Sequence, residues 1–131
     1  MRLTNSEKHK LGVKLVSDYL ISLGYKHFVF RSDPVFDIYL PDQEISIKVF
    51  CNYSRVLNIK VPGNFETHDG VLYLIVSPTD KNRIGFSCVG GMKCEIDESI
   101  KIFQTPESPK NIQTDRLKNI GIKKHLTICS K

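Results

Sequence analysis

The chain has 131 residues and a formal net charge of +5, with an isoelectric point near 9.0. That length allows one domain with its own hydrophobic core, and the ordinary apolar and charged contents exclude disorder as a description of the whole chain. The longest apolar run, Val71 to Val76, is far short of a membrane span, and the N-terminus is polar, so a cytoplasmic protein without a membrane partner is expected.

The basic balance fits a polyanionic partner such as DNA or RNA, although many plain soluble proteins are as basic. Four cysteines are present, none in a Cys-x-x-Cys pair, and a reducing compartment leaves them as thiols. His125 and Cys129 are spaced like one zinc half-site, but no second half-site accompanies them.

The first element is an amphipathic helix. Asn5 or Ser6 supplies a cap, and Leu11, Leu15, Val16, Tyr19, Leu20 and Leu23 recur on one side, which predicts a helix over about 6–23. Gly24 then provides a left-handed stop. His9 lies near the face of Val13, where it points either towards the strands that follow or, more plainly, to solvent.

Strand patterns come next. Residues 26–31 (KHFVFR), 35–40 (VFDIYL) and 45–51 (ISIKVFC) are rich in β-favouring types, and a turn signal at Pro41-Asp42 joins the last two. Further strands are expected at 56–61, 71–76 and 84–88, with one or two short ones between 95 and 103. No repeat or linker divides the chain, so residues 1–131 are read as a single domain. A basic, loosely held segment follows from about residue 106, within which 114–125 is weakly helical. One helix followed by a mostly antiparallel sheet gives an α/β or α+β class.

The pair at 35–40 and 45–51 carries the most information. Connecting them through residues 41–44 sets Leu40 against Ile45, Ile38 against Ile47 and Phe36 against Val49, so the apolar side chains share a face. The same register sets Tyr39 against Ser46 and Asp37 against Lys48, with Cβ atoms roughly 4.5–5.5 Å apart. The plain reading of that pair is a cross-strand ion pair on a solvated face.

The arrangement of helix, short strand, strand with Asp, turn and strand with x-Lys resembles the core of the PD-(D/E)xK nuclease superfamily, which includes small Holliday junction resolvases. LGVKLVSDYLISLGY is similar to that family's first helix, VFDIYL to its aspartate strand and ISIKVF to its x-Lys strand. The resemblance implies a restriction-endonuclease-like fold, with the N-terminal helix packed on a central mixed sheet. It also implies a Mg2+-dependent endonuclease acting on DNA, usually as a homodimer. Carried over by position, Asp37 becomes the metal carboxylate, Ile47 a backbone carbonyl ligand, and Lys48 the lysine that orients the attacking water.

Two of the family's acids are missing. Ser46 stands where an acid belongs, and Gly12 is followed by Val13 rather than glutamate. One alternative recruits a carboxylate from Glu44, Glu66 or Asp69, since some restriction enzymes with Ser-x-Lys recruit theirs from elsewhere. The other is a catalytically inactive member that serves as a nucleic-acid-binding or protein-assembly module. Lys8, Lys10 and Lys14 on the helix, with Lys110, Arg116, Lys118, Lys123, Lys124 and Lys131 in the tail, are candidate phosphate contacts or simply solvated cations.

Overall fold

A computed structural model describes residues 4–30, 33, 35–52, 58–61, 65–78, 86–102, 110–118 and 121–129. Helix α1 spans Asn5–Ser22. Its cap is Thr4, one residue before the expected positions: Glu7 N–H donates to Thr4 Oγ1, and Thr4 N–H donates to the Glu7 carboxylate. This reciprocal box satisfies two of the donors that a helix start leaves open. Gly24 follows the helix with φ +82°, as its position predicts.

The strands are β1 (Phe28–Val29), β2 (Ile38–Leu40), β3 (Ile45–Cys51), β4 (Asn58–Val61), β5 (Val71–Pro78) and β6 (Phe86–Gly91). Helix α2 (Lys93–Ser99), strands β7 (Ile100–Ile102) and β8 (Lys110–Gln113), a 3-10 turn (Thr114–Arg116) and helix α3 (Gly121–Cys129) complete the chain. A mixed sheet runs β1-β2-β3-β5-β6, with β3 and β5 parallel and the other neighbours antiparallel. A smaller antiparallel sheet runs β4-β8-β7. The class is α+β, as expected; the division into two sheets was not.

Two cores lie on opposite faces of the large sheet. Alternation sends Ile45, Ile47, Val49, Leu72, Leu74 and Val76 to one face, where α1 (Val16, Leu20) and α3 (Ile122, Leu126) cover them. Tyr73 and Ile75 point the other way and pack with Val61, Ile112 and Ile96 from β4, β8 and α2. Strand β5 is therefore buried on both sides, which explains its unbroken apolar run.

The structure refines the expectations in three places. Of the one or two short strands expected between 95 and 103, β7 is one, while helix α2 takes the residues before it, where Ile96 and Ser99 are buried at helical spacing. Within the C-terminal segment, Ile112, Leu117, Ile122 and Leu126 are buried. His125 is buried in α3, where it donates to Lys118 O at 3.2 Å, and its burial lowers its pKa. Finally, the buried stripe of α1 is Gly12, Val16 and Leu20, while Tyr19 is exposed.

Gly12 is the point where α1 meets the sheet. A Cβ there would lie 3.0 Å from Cys51 Cβ and 3.2 Å from methyls of Val49 and Val76. Gly12→Ala is expected to be nearly neutral, because gained helix propensity offsets the tight fit. Gly12→Leu is expected to lift the helix and cost about 3 kcal/mol, at the upper end for overpacking. Urea unfolding midpoints of the two variants test this contrast, and equal midpoints would contradict it.

Candidate functional site

Strands β2 and β3 pair in the register that alternation demands: Leu40 with Ile45, Tyr39 with Ser46, and Ile38 with Ile47. Beyond Ile38 the regular ladder stops, and the two strands begin to part. Asp37 sits at that parting point. Its N–H donates to Ile47 O at 2.8 Å, and its own carbonyl accepts from Phe30 N–H at 2.8 Å. The next inward donor of β3, Val49 N–H, finds no backbone partner in β2 and is taken by Asp37 Oδ2 at 2.8 Å. A side chain thus completes the ladder that the backbone abandons.

This geometry changes the setting expected for Asp37. Instead of standing on a solvated face, it is 4% exposed. Phe36 leaves the apolar row as well and makes an edge contact with Phe30 at 5.2 Å between ring centroids. Lys48 does meet Asp37, with Nζ 3.6 Å from Oδ2. That separation is an ion pair rather than a hydrogen bond. Lys48 reaches the carboxylate from the sheet face that carries Phe50 and Tyr73.

From the other side comes His9 of α1, a residue whose sequence position left solvent as the plainer reading. Its Nε2 is buried, lies 3.1 Å from Asp37 Oδ1, and has no aligned hydrogen-bond partner there or elsewhere among the described residues. The two carboxylate oxygens therefore have different duties. Oδ2 serves Val49 and Lys48, while Oδ1 faces His9.

Asp37 and His9 form the base of a cleft of about 440 Å3. One wall is the α1 face bearing Ser6, Lys10, Val13, Lys14 and Ser17, three to four residues apart as a helix requires. The opposite wall is Val29 and Phe30, both exposed. Lys14 also pairs with Asp18 at 2.9 Å. Val13, where relatives of the resembled family carry glutamate, is an apolar wall residue that packs against the first core.

The remaining candidates stand elsewhere. Glu44 occupies the turn, exposed, with φ +54°. It precedes Lys48 by about 13 Å along the strand. Glu66 and Asp69 are exposed in the segment before β5, and β5 begins beside Ser46, not beside Val49. Ile47 O already accepts the Asp37 N–H. No group of three His, Cys, Asp or Glu side chains suited to a metal is gathered among the described residues. The donors that do converge are Asp37 Oδ1 and His9 Nε2. Lys123 and Lys124 are exposed on α3, and Lys8 is half-buried on α1; Lys131 lies outside the described residues.

Comparison with protein-family models, curated proteins and solved structures finds no match. Among the described residues, no helix is long and apolar enough to cross a membrane.

Asp37→Ala strands a buried N–H and removes the counter-charge of Lys48. The expected loss is about 2 kcal/mol, the usual cost of orphaning a donor to a charged acceptor. Asp37→Asn keeps an oxygen for Val49 and is expected to lose less than half as much. Denaturant unfolding at neutral pH decides, and an Asn variant as unstable as the Ala variant would argue against the capping role.

Proposed function

We propose that the chain is a nuclease-type DNA-binding domain with a restriction-endonuclease-like core, whose Asp37–Lys48 site hydrolyses phosphodiester bonds with a divalent cation such as Mg2+. The observation that carries this reading is the convergence of Asp37 and Lys48 on neighbouring strands, with Asp37 also lining a cleft that holds Lys10 and Lys14. The order α1, β1, β2, β3, with the first helix laid on a mixed sheet, supports it further.

Each residue then has a task. Lys10 and Lys14 attract and hold the phosphate backbone at the cleft. Lys48, held to Asp37 Oδ2 on the side away from the cleft, adds positive charge behind the carboxylate that favours charge developing on phosphate. Asp37, with Oδ2 committed to Val49 and Lys48, keeps Oδ1 for the cation. The cation, when bound, supplies Lewis-acid charge that offsets the phosphate oxygens. Two copies acting together would let so small a domain engage both strands of a duplex.

A second reading, a non-catalytic nucleic-acid-binding or assembly module on the same scaffold, is favoured by one observation. Asp37 already has a structural duty towards Val49 N–H, and a buried carboxylate can be retained for that alone.

Cleavage of supercoiled and branched DNA with Mg2+ or Mn2+ separates the two. Wild type is expected to cut, and Asp37→Asn and Lys48→Met to slow cutting by about 100-fold or more. Undiminished cutting by both variants would reject the site. Salt-sensitive DNA binding without cutting would favour the second reading.

A further inference from the structure

The buried Nε2 of His9 lies at ion-pair distance from Asp37 Oδ1 but has no aligned hydrogen-bond partner. A buried ring nitrogen without an aligned partner is costly, and here it lies beside a carboxylate oxygen with no other contact among the described residues. A direct hydrogen bond would relieve both atoms, but the ring is not oriented to make one. A cation between them relieves both at once. With bonds of about 2.1 Å, two adjacent ligands of an octahedral cation lie about 3.0 Å apart. The observed separation is 3.1 Å.

We infer that His9 Nε2 and Asp37 Oδ1 are ligands of one first-row divalent transition cation, with His9 supplying the donor that Ser46 cannot. The inference rests on the reading of Asp37 as a metal carboxylate and adds the identity of its partner. It also sets the class of metal. Mg2+ prefers oxygen donors, whereas an imidazole and a carboxylate together suit the Mn2+ to Zn2+ series. Mn2+ accepts both donor types and is paramagnetic, which makes it the probe of choice. Only two protein donors bind, so water or a phosphate oxygen takes the positions facing the cleft. Lys48 is held to Oδ2, away from Oδ1, and its positive charge weakens the site without occupying it.

Mn2+ titration of the full chain, followed by the loss of the free Mn2+ electron-spin signal, measures this directly. Paramagnetic broadening of backbone amides in the same samples locates the ion. Wild type is expected to bind one Mn2+, broadening the amides of His9, Asp37 and Val49 first. His9→Ala and His9→Gln are each expected to weaken binding by about 10-fold or more, with Mg2+ a much poorer competitor than Zn2+. Lys48→Met is expected to bind Mn2+ at least as tightly as wild type. Equal Mn2+ affinity in wild type and either His9 variant would overturn the inference, as would broadening centred elsewhere or no binding by the folded protein. If the His9 alanine variant does not fold, the glutamine variant and the wild-type broadening map still decide. Mn2+ bound at His9 by a protein that cuts no DNA would sustain this site while overturning the nuclease reading. Cutting that does not depend on His9 would do the reverse.

Discussion

Everything at the site depends on a single carboxylate placed where two strands separate. Strand β2 leaves β3 after Ile38, and an antiparallel ladder that ends inside a protein leaves an N–H without a partner. Asp37 fills that gap with Oδ2, 2.8 Å from Val49 N–H. Its backbone also links β1 to β3 through Phe30 and Ile47. The same residue is thus a structural joint and the meeting point of Lys48 and His9. Because the joint fixes the carboxylate, the Lys48 ammonium and the His9 ring approach a group that does not move to meet them. Preorganisation of this kind is what electrostatic catalysis or metal binding requires.

Helix α1 connects the joint to the rest of the molecule by having two working faces. Gly12, Val16 and Leu20 lie against the sheet, and the absence of a side chain at Gly12 lets the helix approach Cys51, Val49 and Val76 closely. The neighbouring face carries His9, Lys10, Val13 and Lys14 over the cleft. A bulkier residue at position 12 would raise both faces together. The depth of the cleft and the His9–Asp37 spacing therefore depend on core packing more than on any polar contact.

Much of this arrangement is legible in the sequence, for a definable reason. Period-two alternation allows only one register for 35–40 against 45–51, so the Ile38–Ile47 and Leu40–Ile45 pairs follow from the residues alone, as does the meeting of Asp37 with Lys48. What alternation cannot reveal is where a ladder ends. Phe36 and Asp37 look like further members of a regular strand, and their departure depends on β1 and Phe30 drawing the chain aside. The second sheet is not legible because β4, β7 and β8 are short and β4 pairs with β8 far along the chain. Helix α2 is hidden because KCEIDES offers only one strongly apolar residue, Ile96. His9 was ambiguous for the opposite reason: a helix position alone does not say whether a polar side chain finds a buried acceptor. A Thr4–Glu7 capping box was visible in the sequence as T-x-x-E and could have fixed the helix start.

The central claim, that the Asp37 carboxylate takes over the ladder where β2 departs, is tested most directly by amide hydrogen exchange at Val49. In the wild type, Val49 N–H should be protected as strongly as the ladder amides of Lys48 and Phe50, which face β5. In Asp37→Ala it should exchange far faster while those neighbours stay protected. Rapid exchange at Val49 in the wild type, or protection that survives loss of the carboxylate, would contradict the account.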